Sequence, residues 1–294
     1  MTERRQGQTG RGAYAQACRI LKKAGWDGEA AGREARELLS FCWGKEGLAL
    51  LLDFDQALPP PVLAQYAGVV EGRRAGKPMA YLTGRQYFAE REWRVTPGVL
   101  IPRQDTEILL AAVLERLPSH RPARALELGC GSGAVIGAAA AARPLLAGWA
   151  VDIDPLAVAL TEENLRLAAV EKRVTPLIGA WFEPVPADLI FDLIFSNPPY
   201  ISTAEMAELP VEVAWEPPTA LWGGDDGLRC YREILPEACR RLAPGGWCLL
   251  EIGWRQGPAV SGLLAGAGFA AAEILRDLGG RDRVVVGKKP GPPA

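Results

Sequence analysis

The sequence predicts an α/β fold with a mostly parallel sheet and helices on both of its faces. From residue 123 onward, short apolar runs alternate with longer segments of helical periodicity. A glycine-rich turn at residues 129–134 follows the first of these runs and opens a helix. Such alternation indicates parallel strands joined by crossover helices, and ligands of these sheets bind at the carboxyl ends of the strands.

The predicted elements of this region follow one another in regular order. They are a helix at 105–117, a strand at 123–129, a helix at 132–142, a strand at 149–154, a helix at 155–168, strands at 174–179 and 191–197, a helix at 228–242 and a strand at 247–253. One more helix and two late strands, near 270–275 and 282–287, complete it. Asp154 precedes Pro155 and is expected to cap the helix that starts there.

The residues before the sheet predict a small helical bundle over 13–76, because apolar residues recur there at three- and four-residue spacing. Residues 77–102 alternate aromatic and β-branched residues with polar ones, which favours a hairpin linker. Residues 1–12 and 289–294 are expected to be tails, and residues 103–288 to form the main domain.

The composition excludes several classes of protein. The 33 basic and 35 acidic residues give a net charge of −2, whereas a protein that grips nucleic acid normally has a basic excess. No apolar run is long enough to span a membrane, and the N-terminus lacks the apolar core of a secretory signal. The six cysteines form no CxxC pair and His120 is the single histidine, so reduced thiols, no metal site and a cytoplasmic location are expected.

The glycine-rich turn predicts a cofactor site. Gly129, Gly131 and Gly133 let the backbone turn tightly and approach a ligand closely. Asp152 ends the second strand, where its carboxylate can accept hydrogen bonds from both ribose hydroxyls. This pattern alone fits S-adenosylmethionine and a nicotinamide or flavin cofactor equally well.

The segment Asn197-Pro198-Pro199-Tyr200 decides between these cofactors. The Asn197 side-chain oxygen and the Pro198 carbonyl can each accept an N–H bond from an amide or exocyclic amine, and so draw its lone pair toward a methyl donor. The prolines stiffen the backbone, and Tyr200 can stack on the planar group. Asn197, Pro198 and Tyr200 are therefore the predicted catalytic residues, and such positioning can lower a barrier by about 7–11 kcal/mol.

With these motifs the chain resembles the peptide chain release factor N5-glutamine methyltransferases, the PrmC/HemK family. The resemblance covers residues 13–288 and includes the segments PMAYLTGRQYF, LIPRQDTE, LELGCGSGAV, SNPPYI, WEPPTAL, GGDDGLRCYREIL and LEIGWRQG. It implies a seven-stranded, Rossmann-like class I methyltransferase sheet. It also implies S-adenosyl-L-methionine as cofactor and methylation of the glutamine in the Gly-Gly-Gln loop of bacterial release factors. The helical domain would recognise the release factor, with no nucleic acid or membrane as partner.

The resemblance also implies roles for individual residues. The cofactor would be held by Gly129, Cys130, Gly131, Ser132, Gly133, Asp152, Trp181 and Asn197, and the substrate by Asn197, Pro198, Pro199, Tyr200, Arg103 and Glu107. Arg103 and Glu107 are expected either to support the pocket mouth or to form an ion pair that anchors the hairpin.

Two positions depart from the family pattern. Gln104 replaces a usual proline, which is expected only to loosen a turn. Ala180 replaces an acidic residue that reads the adenine amino group in many methyltransferases, so the sequence predicts weaker cofactor binding than in relatives that have the acid.

Other functions remain possible on the sequence alone. An adenine-N6 nucleic-acid methyltransferase or a ribosomal-protein glutamine methyltransferase would use the same pair of acceptors. A nicotinamide oxidoreductase would use the glycine loop but gives Asn197 no role. A protein that keeps the fold without activity would not need Asn197 at all.

Overall fold

A seven-stranded sheet forms the centre of the larger of two units, which comprises Arg85–Pro210 and Glu216–Ala294. The structure is a computed structural model that describes residues 8–291. The strands of the sheet are β3 (Ala123–Leu128), β4 (Leu146–Asp152), β5 (Val174–Ile178), β6 (Phe191–Ser196), β7 (Leu242–Glu251), β8 (Ala270–Arg276) and β9 (Asp282–Lys288). A separate hairpin is formed by β1 (Arg85–Phe88) and β2 (Arg91–Arg94).

The strand order is β5-β4-β3-β6-β7-β9-β8, with β9 antiparallel to both of its neighbours and all other pairs parallel. The chain runs outward from β3 to β5 and then returns to place β6 on the other side of β3. The sheet therefore has its topological switch point between β3 and β6, where ligands of such sheets bind.

Helices cover both faces of this sheet. They are α6 (Glu107–Arg116), α7 (Ala134–Ala142), α8 (Pro155–Leu167), α9 (Thr203–Met206), α10 (Arg229–Arg241) and α11 (Gly257–Gly266). Two apolar clusters result, one with α6 and α7 on one face and one with α10 and α11 on the other. The predicted α/β class is confirmed, and the predicted strands and helices agree with the structure to within a few residues. The largest difference is β7, which starts at Leu242 instead of residue 247.

The predicted cap of α8 is confirmed. The Asp154 carboxylate accepts a hydrogen bond from the Leu156 N–H at 2.9 Å, and Pro155 occupies the first helical position. Proline is favoured there because it lacks the N–H that would have no partner within the helix.

The smaller unit comprises Met1–Gly84 and Val211–Trp215. Its helices are α1 (Gly10–Lys23), α2 (Gly28–Trp43), α3 (Gly47–Leu52), α4 (Pro60–Arg74) and α5 (Met79–Thr83), and α1, α2 and α4 enclose a common apolar core. The buried Arg73 guanidinium pairs with Glu34 at 2.6 Å and with Glu212 at 2.7 Å. Residues 211–215 are thus tied to the helices of this unit by a buried cation.

Two features of this unit differ from the sequence-based expectation. Helix α1 starts at Gly10 because the Thr9 hydroxyl accepts the Gly12 N–H, so residues 10–12 are not part of a tail. Residues 1–7 and 292–294 of the predicted tails lie outside the described part of the chain. Helix α5 occupies the start of the predicted hairpin linker and belongs to the helical unit. No helix within residues 8–291 has the length and apolar character that a bilayer crossing requires.

Candidate active site

A cavity of about 570 Å³ opens in the larger unit at the carboxyl ends of β3, β4 and β6. Most of the predicted site residues line it, namely Arg103, Gly129, Cys130, Gly131, Ser132, Asp152, Trp181, Asn197 and Pro199. Gly133, Pro198, Tyr200 and Glu107 are not among its lining residues. The cavity has the size of a small-molecule site.

The glycine-rich loop needs its glycines for backbone conformation. Gly129, Gly131 and Gly133 have φ of +66°, +54° and +71°, a region that residues with a Cβ atom rarely occupy. At Gly133 a Cβ atom would also lie 2.7 Å from the Thr161 side chain. At Gly129 and Gly131 its nearest neighbours would be at 3.8 and 3.9 Å, because these two residues face the cavity.

Helix α8 holds this loop in place through two buried polar side chains that the sequence analysis missed. The Thr161 hydroxyl donates to the Gly131 carbonyl at 3.0 Å, and the Asn164 amide donates to the Ser132 carbonyl at 2.8 Å. Asn164 also accepts the Arg94 N–H from β2. The sequence could have indicated these two residues, because they are uncharged, polar and three apart on one face of a helix. Packing alone does not explain polar residues at such positions.

Asp152 lies at the end of β4 and is bound to the glycine loop. Its carboxylate accepts the Gly131 N–H at 2.8 Å and the Asp154 N–H at 3.0 Å. Burial raises the pKa of Asp152 above its ordinary value, and these hydrogen bonds oppose that rise. The side chain is only partly buried and lines the cavity, so its oxygens can accept further bonds.

Glu127 is a second carboxylate on the cavity, and the sequence analysis missed it as well. It is buried in β3, accepts the Ile136 N–H at 3.0 Å, and has a pKa well above the ordinary value because of burial. The sequence could have indicated Glu127, because it is a charged residue inside the apolar strand sequence ALEL. Such residues are almost never fully buried without a specific partner.

Trp181 forms a wall of the cavity. Its indole N–H donates to Glu233 of α10 at 2.8 Å, which fixes the orientation of the ring. Its φ is +46°, a conformation that is uncommon for a bulky residue and that marks a constrained loop. Ala180 precedes it and also lines the cavity, with no acidic side chain at that position.

Asn197 and Pro199 reach the cavity from the tip of β6, whereas Pro198 is buried and Tyr200 is partly buried. Among residues 8–291, no hydrogen bond reaches the Pro198 carbonyl oxygen or Asn197 Oδ1. Neither of the two predicted acceptors is therefore occupied by a donor of the protein, but only Asn197 lines the cavity. The structure does not place the Tyr200 ring on the cavity wall, and burial raises its pKa.

The backbone after Asn197 is fixed by the segment GGDDG and by Gln256. Gly223 and Gly227 pack so closely that Cβ atoms there would lie 2.6 Å from the Pro199 carbonyl oxygen and 2.4 Å from the Tyr200 carbonyl oxygen. The Gln256 amide donates to the carbonyls of Tyr200 and Gly227 at 3.0 and 3.2 Å.

Arg103 and Glu107 have separate partners. Arg103 lines the cavity and pairs with Glu216, a buried carboxylate whose pKa is raised by burial. Glu107 instead accepts the Ala89 N–H at 3.0 Å, within the β1–β2 turn. Ala89 and Glu90 have φ of +50° and +61°, so Glu107 supports a turn made of two residues that resist this conformation. Within the described residues, Arg103 and Glu107 thus pair with other groups and not with each other, and Glu107 does not line the cavity.

Two family models match the chain. The PrmC N-terminal domain matches residues 12–84, and the methyltransferase small domain matches residues 104–216. The second match includes the glycine loop, Asp152, Trp181 and Asn197, which are the residues gathered around the cavity.

Similar curated proteins cover nearly the whole chain. The release factor glutamine methyltransferase of Cereibacter sphaeroides is 42% identical over 92% of this chain and 95% of its own length. That of Moorella thermoacetica is 41% identical over 85% of this chain and 88% of its own length. The chain belongs to the release factor glutamine methyltransferase family. It is a methyltransferase, and its cofactor is S-adenosylmethionine.

Solved structures agree with the fold of this family member. A methyltransferase from Pyrococcus furiosus superimposes with a TM-score of 0.51 and 19% identity, covering 67% of this chain and 88% of that one. The hMettl16 catalytic domain, solved with an RNA hairpin, gives a TM-score of 0.57 and 13% identity, covering 80% and 84%. At such identities these similarities establish the class I methyltransferase fold alone.

The residues around the cavity fit S-adenosylmethionine. Gly129 and Gly131 leave space where side chains would otherwise fill the cavity. Asp152 and Glu127 provide acceptors for hydroxyl and ammonium groups, and Trp181 provides an aromatic wall.

We expect Gly227→Ala to disturb the Asn197–Tyr200 backbone, because the new Cβ atom would overlap the Tyr200 carbonyl and the Gln256 amide. The predicted effect is at least a 10-fold loss of kcat, since misplacement by about 1 Å can cost 10²-fold. The control is Gly245→Ala, which adds the same strain at φ of +78° but meets no atom within 4 Å. Equal losses in the two variants would show that backbone strain, and not overlap with the loop, determines the effect.

We expect Ala180→Asp to strengthen binding of S-adenosylhomocysteine about 10-fold, because a charge-assisted hydrogen bond contributes about 1.5–3 kcal/mol. Isothermal titration calorimetry measures the Kd. Ala187→Asp adds the same charge at an exposed position that does not line the cavity and is the control. An unchanged Kd in Ala180→Asp would mean that adenine is recognised without this position.

Proposed function

We propose that this chain transfers a methyl group from S-adenosylmethionine to the side-chain amide nitrogen, N5, of the glutamine in the Gly-Gly-Gln loop of bacterial release factors. Two facts support the release factor as substrate. The chain belongs to a family whose curated members have that name, and the PrmC N-terminal domain model matches residues 12–84.

One observation carries the chemistry: two unpaired acceptors lie at the switch point of the sheet. Asn197 Oδ1 and the Pro198 carbonyl oxygen have no donor within residues 8–291. A primary amide has two N–H groups, so it can satisfy both acceptors at once. The two acceptors fix the amide plane and specify a nitrogen that carries two hydrogens.

The same acceptors make the amide nitrogen more reactive. Its lone pair is normally delocalised into the carbonyl group, and holding both N–H groups directs that lone pair toward the methyl donor. S-adenosylmethionine, when bound, supplies a methyl group on a positively charged sulfur. Asn197 and Pro198 thus contribute preorganised polar groups whose interaction strengthens as positive charge develops on the amide nitrogen. As the new C–N bond forms and the C–S bond of the donor breaks, the nitrogen becomes acidic and releases one of its two protons to water.

The two acceptors can act on the amide in this way only if the backbone that carries them, at residues 197–200, is rigid. Gly223, Gly227 and Gln256 fix the Tyr200 backbone, and Ser196 bonds to the end of β3. Arg103, held by Glu216, extends the polar wall of the cavity, where it can bind a carbonyl oxygen of the substrate loop. Tyr200 is partly buried and does not line the cavity. We expect any contact of Tyr200 with the glutamine to be made from that position.

The decisive experiment incubates the purified chain with S-adenosylmethionine and a release factor, then locates the added CH₂ mass by peptide sequencing in a mass spectrometer. We expect modification at the glutamine of Gly-Gly-Gln and none in a release factor with that glutamine replaced by alanine. Modification at another residue, or only of adenine in an added oligonucleotide, would refute the proposal.

We expect Asn197→Ala to lower kcat by about 10²-fold or more, because one of two preorganised groups is lost. Binding of S-adenosylhomocysteine, measured by calorimetry, should weaken much less. Comparable losses in both quantities would show that Asn197 mainly holds the cofactor.

We further propose that the helical unit binds the body of the release factor. Helix α3 exposes Leu48, Leu51 and Leu52, and Leu51 borders a groove of about 660 Å³ that also contains Arg33 and Arg36. Exposed apolar side chains beside charged ones are typical of protein-binding surfaces.

Leu51→Asp should therefore raise KM for an intact release factor about 10-fold, as expected when an interface loses an apolar contact. KM for a short Gly-Gly-Gln peptide should not change, because the peptide lacks the release factor body. Leu278→Asp, at a fully exposed leucine of the larger unit, is the matched control. Equal effects on protein and peptide would contradict this division of roles.

A further inference from the structure

The Asn197 side chain is connected to a buried chain of hydrogen bonds. Asn197 Nδ2 donates to Thr106 Oγ1 at 3.3 Å, and the Thr106 hydroxyl lies close enough to the Glu251 carboxylate to lower its pKa through a hydrogen bond. Thr106 is 4% exposed and Glu251 is 1% exposed. Thr106 precedes α6 and Glu251 ends β7, so the three residues come from distant parts of the sequence.

The direction of these bonds follows from the number of hydrogens available. A hydroxyl group has one hydrogen, and an ionised carboxylate can only accept. If Thr106 donates its hydrogen to Glu251, it can only accept from Asn197. Asn197 must then present its NH₂ group to Thr106, and its Oδ1 atom is left for the cavity.

A reversed amide would not work in the same way. With Oδ1 turned toward Thr106, Asn197 would present an NH₂ group to the cavity, and two donors would face each other when a substrate amide is bound. Asn197 needs a partner that fixes its orientation, because rotation of the amide by about 180° exchanges two groups of nearly equal size.

We infer that Thr106 is a positioning residue for methyl transfer, and that Glu251 orients the Thr106 hydroxyl so that Asn197 presents its carbonyl oxygen to the substrate amide. The inference rests on the proposed function for the identity of the substrate. The orientation of the Asn197 amide itself does not depend on it.

The surroundings of Glu251 make this arrangement sensitive to pH. Burial raises the pKa of Glu251 to about 7, and the Thr106 hydrogen bond opposes the rise. One carboxylate oxygen, Oε2, has no partner within the described residues, and neither has the buried Nε of Arg283. The ionisable groups that act on Glu251 are Arg103, Asp105, Arg283, Tyr200 and Tyr231.

Protonation of Glu251 would remove the constraint. A neutral carboxyl group can donate to Thr106, which frees the Thr106 hydrogen to bond Asn197 Oδ1. The kcat of the wild-type enzyme should therefore fall as the pH drops below about 7, the pKa of this group. Glu251→Gln carries a side chain that does not titrate, so the fall of kcat at this pH should disappear.

Kinetics on a Gly-Gly-Gln peptide test the positioning role. Thr106→Val keeps the shape but loses the hydroxyl, and should lower kcat about 10- to 100-fold. Thr106→Ser restores the hydroxyl and should recover most of that loss, while the Kd of S-adenosylhomocysteine stays within about threefold in both variants. Thr83→Val is the control, because it removes a buried hydroxyl that donates to the Met79 carbonyl in the other unit.

Nuclear magnetic resonance tests the geometry without catalysis. The sequence has two asparagines, Asn164 and Asn197, so protein labelled with ¹⁵N-asparagine gives two side-chain amide signals. The Asn197 signal should shift with pH near the pKa of Glu251, and this titration should be absent in Thr106→Val and Glu251→Gln. Asn164, held by the Ser132 and Arg94 carbonyls, is the internal reference.

The possible outcomes separate the two proposals. Loss of kcat in Thr106→Val with recovery in Thr106→Ser, together with the pH-dependent Asn197 signal, supports the inference. Full activity of Thr106→Val, equal damage in Thr106→Ser, or an Asn197 signal that ignores Glu251 overturns it. A wild-type chain that leaves the peptide unmodified refutes the proposed function, while the resonance experiment still decides the orientation of Asn197.

Discussion

The pairing of β3 with β6 is the constraint on which the site depends. Leu128 and Ser196 lie opposite each other at the ends of these strands, and the Ser196 hydroxyl donates to the Leu128 carbonyl at 2.6 Å. The next residue of each strand begins one half of the site, Gly129 on the proposed cofactor side and Asn197 on the proposed substrate side. Because parallel strands end at the same edge of a sheet, this register sets the distance between the two loops.

Around this pairing, the loops are held by close packing and by side chains that have no role in the chemistry. Glycines at 223 and 227 admit the backbone of the Asn197 loop, and Gln256 satisfies its carbonyls. Thr161 and Asn164 likewise donate to backbone carbonyls of the glycine loop. Preorganised polar groups contribute to catalysis only when they need not move during the reaction, so this rigidity is part of the site.

The sequence predicted the parts of the site that are local in the chain. The glycine loop, Asp152, the Asp154 cap and the position of Asn197 follow from motifs within a few residues of a strand end. The supporting residues were missed because their partners are far away in the sequence. They are Thr106, Glu127, Thr161, Asn164, Glu216, Glu251 and Gln256. The same reason applies to Arg103 and Glu107, because the partners that the structure gives them, Glu216 and the Ala89 N–H, lie elsewhere in the sequence.

Buried carboxyl groups surround this site, and their ionisation matters for its chemistry. Burial raises the pKa of Glu127, Asp152 and Glu251, because it disfavours the charged form of each carboxyl group. The reaction removes the positive charge of the bound cofactor. Fully ionised carboxylates near that charge would stabilise the ground state more than the transition state and would slow transfer. Carboxyl groups that bind mainly through directed hydrogen bonds avoid this cost while still fixing the positions of the reacting groups.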